Sequence, residues 1–384
     1  LKLKILIVTN LFPPQVLGGY ERSIADFAHL LHERGHQVLV LTSNTPFFSD
    51  SRMEPPTELE VRRCLLLGGE WHLGRAAEWF SIEEVEKIDA QNLQMLADCL
   101  GSFEPNVCLA GNMDLMPVCI LEYILANQTP IAHYVMNAMP GYLPNLAPRS
   151  PLYRYIACSH WVQQSLFDKG FPAETIATVY PGAAVEAFFQ PQLPPRDQLR
   201  IAYSSLLMKY KGADVLIEAL CMLRSAGIRF TASLAGGTLD PVFLGGLKEL
   251  VVANGLTDCV SFLGILTRDE IVQMYKRHNV LVFPSRFDEP FGISQIEAMA
   301  AGLTLVTSGT GGAREIVEHG QNGIVFESGN ASDLANMLAL LIEHPLEWEQ
   351  ITRQGQQNAM QRFSQTRAVE SLENLLFKVA CLKT

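Results

Sequence analysis

Short apolar runs, each followed by a loop and then an amphipathic stretch, recur along this 384-residue chain. The opening residues show the unit. "KILIVT" (Lys4–Thr9) has the length and composition of a buried parallel strand, and "NLFPPQVLGG" (Asn10–Gly19) is a Pro/Gly loop. Ile24, Phe27, Ala28 and Leu31 then stand at i, i+3, i+4 and i+7, the stripe of an amphipathic helix that Gly35 stops. "QVLVLT" (Gln37–Thr42) returns as a strand. Such crossovers build a parallel sheet, and ligands of open α/β sheets bind beyond the carboxyl ends of the strands.

A second series starts near residue 200 with "LRIAYSS", a helix predicted over about 213–226, and "RFTASLAGG". It continues through "CVSFLG", "NVLVFPS", "GLTLVTS" and "GIVFES". Between the series, "YPGAAVEAFFQPQLPPRDQ" (Tyr180–Gln198) carries four prolines and reads as a linker. The expectation is an α/β chain with two Rossmann-like domains. The first covers 1–180, a linker 181–199, and the second 200–360, with a C-terminal helix over 361–384 packing back on the first.

Composition removes several function classes. The chain is 48% hydrophobic and 18% charged, which is globular, and no apolar run reaches the ~20 residues of a membrane span. The N-terminal residues lack the pattern of a secretory signal. Net charge is −11, and neither half is basic: −7 up to residue 180 and −4 beyond it. That argues against nucleic acid as the main partner and leaves membrane association at most peripheral. The eight cysteines are scattered with no C-x-x-C pair, which fits a cytoplasmic protein, including one at the inner face of a membrane. No D-x-D motif and no metal-ligand spacing are present, so no metal and no cofactor are expected. An anionic ligand must be held by local devices.

The richest stretch for such devices is "EPFGISQIEAMAAG" (Glu289–Gly302). Pro290 forces Glu289 extended, Gly292 permits close approach of backbone to ligand, and a helix is predicted to begin around Ser294. A helix N-terminus behind a glycine loop presents free N–H groups and positive dipole to a diphosphate or a hexose. Glu297 is expected in the first turn, within reach of a ribose. The same residues also read otherwise, since Ser294 and Glu297 fit an S-x-x-E capping box and Glu289 fits a solvated loop carboxylate. Lys211, in "KYKG", precedes the helix predicted from Ala213. A cation there opposes the helix dipole, and an anion between them would relieve the conflict. A lysine turned to solvent is the plain alternative.

Glu289 and Glu297 flank seven residues, and this E-x7-E with the surrounding "PSRFDEPFGISQIEAMAAGLTLVTSGTGGAREIVEHGQNGIVF" resembles the retaining family-four glycosyltransferases of the GT-B fold. "FPPQVLGGYER", "ACSHWV", "LFDKGF", "YPGAAVEAFF" and "YSSLLMKYKGADVLIEAL" extend the resemblance over most of the chain. It implies a GT-B architecture whose two domains face each other across a deep cleft. It implies that Glu289 contacts the transferred hexose, and that the amides of Phe291, Gly292, Ile293 and Ser294 hold sugar and diphosphate. Glu297 would bind ribose and Lys211 a phosphate, while Gly18 and Gly19 would approach the diphosphate from the first domain. The backbone at Leu263 would receive the base.

The chain departs from the family at two places. An arginine usually precedes the lysine by five or six residues; here those donor-side positions hold Leu206 and Ser205, which carry no charge. A His-Asp pair usually ends a central strand; here Met136 and Asn137 stand there, with His133 three residues earlier. Asn137, and less directly His133, are the acceptor-side candidates; a buried strand histidine is the other reading of His133. The function implied is metal-independent, retaining hexosyl transfer from a nucleotide-diphosphate sugar, UDP-glucose as first choice, to a saccharide or lipid-linked saccharide. The alternatives are a nucleotide-sugar epimerase or hydrolase of the same fold, or a binding module with little turnover. Acceptor contacts are expected from first-domain loops such as 45–71.

Overall fold

The computed structural model describes residues 1–53, 58–172 and 176–383. Of the segment 45–71, expected as a loop, residues 54–57 lie outside the described residues, and residues 60–65 and 69–71 are strand. The chain divides into two compact units. One holds Leu1–His72, Ala76–Pro181 and the segment from Thr366; the other holds Gly182–Gln365 with Leu73–Arg75.

The first unit contains strands β1 (Lys4–Val8), β2 (Gln37–Ser43), β3 (Glu60–Leu65), β4 (Gly69–His72), β5 (Arg75–Trp79, all but its first residue), β6 (Val107–Ala110), β7 (Ile131–Val135), β8 (Tyr153–Ala157) and β9 (Ile176–Thr178). Seven of them form a parallel sheet in the order β3-β2-β1-β6-β7-β8-β9, and β4 and β5 form a separate two-stranded hairpin. Strands β1, β6 and β7 are apolar almost throughout because both faces are covered. Helix α1 (Gly19–Glu33) buries Ile24, Phe27, Ala28 and Leu31, the stripe read from the sequence.

The second unit contains β10 (Leu199–Ser204), β11 (Phe230–Ala235), β12 (Val260–Gly264), β13 (Val280–Phe283), β14 (Thr304–Thr307) and β15 (Ile324–Val325). They form a parallel sheet in the order β12-β11-β10-β13-β14-β15. Numbered within the unit this is 3-2-1-4-5-6, the Rossmann order, whose direction reverses between the first and fourth strands. Helices α2 (Ala213–Ser225) and α3 (Ile293–Ala300) follow β10 and β13, the two strands at that reversal. The order in the first unit reverses in the same way between β1 and β6.

The proline-rich segment does not run free between the units. Phe188 is buried against Tyr275, with ring centroids 5.7 Å apart, and Gln356 Nε2 donates to the Gln190 carbonyl at 2.8 Å. Asn279 Nδ2 donates to the carbonyls of Pro195 and Gln198 at 2.7 and 2.8 Å, so these residues are part of the second unit. The chain re-enters the first unit after Gln365, as helix α4 (Gln365–Ala380). There Glu373 accepts from Arg34 Nη2 at 2.7 Å and lies 2.7 Å from His36 Nε2, and Phe377 packs on the His36 ring.

Candidate functional site

Two loops meet where the second sheet reverses. After β10 the chain makes a single 3-10 turn at Lys209–Lys211 and enters α2 through Gly212. After β13 it runs through Pro284–Phe291 and enters α3 through Gly292, whose φ of +105° only glycine adopts without strain. The loops are fastened together. The Tyr210 carbonyl accepts from the Arg286 N–H at 2.9 Å and Ser285 Oγ donates to the same carbonyl at 3.3 Å; a third segment, after β14, holds the Glu289 carbonyl through the Gly312 N–H at 2.6 Å. A side chain at Gly212 would run into the Pro284 carbonyl oxygen.

This fastening brings the two residues singled out for chemistry into contact. Lys211 Nζ donates to both carboxylate oxygens of Glu289, at 2.7 and 2.8 Å. Glu289 is 4% exposed, and its desolvation is offset by this two-point ion pair. The Tyr210 and Phe287 rings flank the ammonium, with centroids 5.5 and 5.9 Å from Nζ. Phe291 is buried against Phe363, and the α3 N-terminus follows it. Ser294 is the second helical residue and Gly292 the N-cap, with no side-chain cap, so the S-x-x-E capping box does not form. Glu297 consequently lies in the second turn, not the first, and is buried. Ser205 follows β10, its N–H donating to the Ala235 carbonyl at 3.1 Å. Leu263 is the last residue but one of β12, with 41% of its surface exposed.

In the first unit, Gly18 is the N-cap of α1 and its N–H donates to Glu21 Oε2 at 2.9 Å. A side chain at Gly18 would meet nothing within 4 Å. No packing inside the chain calls for glycine there, so the space beside it stays open. Asn137 Nδ2 donates to Asp114 Oδ2 at 3.0 Å. A carboxylate from the loop after β6 thus stands against the segment that follows β7. His133 is a different matter. It is fully buried, its Nδ1 2.6 Å from the Tyr153 hydroxyl and 3.2 Å from that of Tyr142, with Tyr155 stacked on the ring. Burial pushes its pKa down to about 3, so it is a neutral core residue and does not reach an acceptor hydroxyl.

Sequence reasoning missed Glu21 and Asp114. Both are desolvated carboxyls held above the usual carboxylate range, Asp114 at about 6, with burial the larger cause and the nearby Glu21 charge adding to it. Asp114 is fixed from several sides: its N–H donates to Asn112 Oδ1 at 3.0 Å, and its carbonyl accepts from Asn10 Nδ2 at 3.0 Å. A glutamate three residues after Gly18 has the spacing of half a capping box, a signal that was available; an aspartate in a loop after β6 gives none.

The family model "Glycosyl transferases group 1" matches residues 184–358, nearly the whole second unit. The second unit belongs to that family. Among curated proteins, a mannosylfructose-phosphate synthase from Agrobacterium fabrum is 26% identical over 219 residues, 53% of this chain and 48% of that one. The chain thus spans about half the length of that relative. A GDP-mannose-dependent alpha-(1-6)-phosphatidylinositol monomannoside mannosyltransferase from Mycobacterium tuberculosis is 25% identical over 364 residues, 88% of this chain and 89% of that one. Among solved structures, Anabaena Alr3699/HepE in complex with UDP and glucose superposes with a TM-score of 0.75 at 23% identity, covering 98% of this chain and 99% of that one. The fold is GT-B, and the group 1 domain carries Lys211 and Glu289 at its sheet reversal.

Proposed function

We propose that this chain transfers a hexose from a nucleotide-diphosphate sugar to a saccharide or lipid-linked saccharide, with retention at the anomeric carbon and without a metal ion. The observation that carries this reading is the Lys211–Glu289 pair beside the α3 N-terminus, at the point of the sheet where α/β folds bind ligands. As the bond from the anomeric carbon to the diphosphate breaks, negative charge grows on the diphosphate. Lys211 and the first amides of α3, from Ile293 and Ser294, are fixed donors of the kind that stabilise such charge. The acceptor oxygen bonds to the anomeric carbon, and its proton leaves with the diphosphate. Glu289 is assigned to the hexose hydroxyls, Glu297 to ribose, and the exposed Leu263 backbone to the base.

UDP-glucose is the proposed donor. The relative solved with UDP and glucose favours it, and the GDP-mannose-dependent mannosyltransferase supplies the competing choice. Titration calorimetry with UDP, GDP and ADP separates them: UDP is expected to bind tightest, and tighter GDP binding overturns the choice. Turnover is expected to survive EDTA; a loss restored by magnesium or manganese overturns the metal-free reading. A second reading, nucleotide-sugar binding with little turnover, is favoured by the uncharged Ser205 and Leu206. Donor binding without any sugar release would select it. No described helix is long and apolar enough to cross a membrane, and a cytoplasmic place, with at most peripheral membrane contact, is part of the proposal.

A further inference from the structure

The β4–β5 hairpin of the first unit ends in Trp79, which is large, apolar and 48% exposed. Its ring is not loose on the surface. A side chain at Gly68 would lie 2.5 Å from Trp79 Cζ3 and 2.9 Å from Cε3, so the six-membered part of the indole rests directly on the Gly68 backbone. Gly69 is closed in as well, since a side chain there would lie 3.0 Å from Trp79 Cα and 2.9 Å from a Leu115 methyl. The Phe80 N–H donates to the Gly68 carbonyl at 2.9 Å, which fastens the end of the hairpin to its start. The glycine bed takes one side of the ring, and nearly half of the side chain stays open to solvent.

The same bed touches the Asp114 loop. The Gly68 N–H donates to the Leu115 carbonyl at 2.8 Å, and Leu115 is the residue after Asp114. Leu115 is a non-glycine residue at φ +61°, a strained conformation that persists only where its surroundings over-determine it. One hydrogen bond and one peptide unit therefore join the indole bed to a loop carrying Asp114, whose carboxylate already holds the Asn137 amide. The Asn112 amide oxygen sits on the same loop at the Asp114 N–H.

We propose that Trp79 and the Asp114–Asn137 pair form the acceptor-saccharide subsite, with the open indole surface against the C–H face of a hexopyranose ring and the carboxylate and amide on its hydroxyls. The chemistry is specific to sugars. A pyranoside offers an apolar C–H face and a polar rim of hydroxyls, and the site offers a flat aromatic surface beside fixed polar groups. A membrane is a poor match, because the unit is acidic, −7 over residues 1–180. The inference rests on the glycosyl-transfer reading and deepens it by placing the acceptor.

The test uses the full chain, without nucleotide, and maltose, cellobiose, lactose and methyl α-mannoside as probes followed by NMR titration. At least one probe is expected to bind, with its C–H resonances moved upfield by the indole ring current. Trp79→Ala is expected to raise the dissociation constant about tenfold, and Trp79→Phe less than about threefold, because a smaller aromatic face remains. Gly68→Val, which drives a side chain into the indole, should resemble Trp79→Ala. Melting temperatures identify any variant that fails to fold, and Trp79→Ala and Trp79→Phe stand on their own if Gly68→Val does. A parent chain that binds none of the probes, or a folded Trp79→Ala that binds within twofold of the parent, overturns the proposal. UDP titrated separately into the parent reads the glycosyl-transfer assignment: absent UDP binding overturns that assignment, and saccharide binding is scored independently.

Discussion

Lys211 and Glu289 satisfy each other in the ligand-free chain, and this has a consequence for each of them. Under the proposed function the lysine must leave, or share, a buried carboxylate in order to hold a phosphate, so the pair would compete with the donor. Glu289→Gln removes the competitor. It is expected to tighten UDP binding several-fold while lowering turnover at least a hundredfold, a split that calorimetry and a steady-state assay read directly. Unchanged UDP affinity would mean that Lys211 does not serve the diphosphate. Lys211→Ala is expected to cost ~10²–10³ in turnover or more, about 2.7–4 kcal/mol, because Ser205 and Leu206 supply no second cation. That variant also strands Glu289 in a buried place, so Lys211→Ala and Glu289→Gln must be combined in a double-mutant cycle before the loss is assigned to the leaving group. Near-normal turnover in Lys211→Ala would remove the centre of the mechanism.

The two loops at the sheet reversal work only if their backbones can lie against each other, and Gly212 is where this is decided. It has φ +71°, and any side chain there collides with the Pro284 carbonyl oxygen. Gly227 is the control, with φ +73° and nothing within 4 Å of a side chain. Gly227→Ala should lose only the left-handed backbone term, about 1–2 kcal/mol, or roughly 2–8 °C in melting temperature. Gly212→Ala should lose at least twice as much and lower turnover too, since Lys211 is its neighbour; equal shifts would show that the loops are not locked there. Elements of this kind were legible to very different degrees. The strands of the second unit are short and mostly apolar, β13 without a break, and "CVSFLG" or "NVLVFPS" could be read as they stand. The sequence points to a start of α3 around Ser294 with Glu297 in the first turn, whereas the left-handed Gly292 caps a helix that starts one residue sooner and carries Glu297 into the second turn. The β4–β5 hairpin left no reading, since Trp79 finds its bed on Gly68 only after the chain has turned back on itself. For His133 the sequence leaves an acceptor-side role and a buried strand histidine side by side, because the tyrosine cage that decides for burial comes from residues 142, 153 and 155, joined to it only by tertiary folding.

Across the whole molecule, titration of two first-unit side chains sets opposing demands on stability. His133 titrates at about 3 when folded against an ordinary 6.5, so the folded state loses about 1.4 kcal/mol per pH unit as pH falls below 6.5. Asp114 titrates at about 6 when folded against an ordinary 3.8, so the folded state gains a similar amount per unit as pH falls from 6 to 3.8. Glu21, also held above its usual range, acts in the same direction as Asp114. Between pH 6 and 4 the two slopes nearly cancel, and below pH 4 the histidine is left unopposed. Asp114→Asn removes one side of this balance while keeping the shape. At pH 8 it should raise stability by the order of 2–3 kcal/mol, because an ionised, desolvated carboxylate no longer has to be kept in place. The gain should shrink steadily from pH 6 and be gone near pH 4, measured as the difference between variant and parent in urea unfolding at each pH. Saccharide binding should fall in the same variant, since the stabilised chain has lost the carboxylate assigned to the acceptor hydroxyls. A variant no more stable than its parent at pH 8 would place Asp114 in a wetter setting than its packing against Asn112 and Asn137 describes, and would take with it the argument that the first unit gives up stability to keep a carboxylate at the end of its sheet.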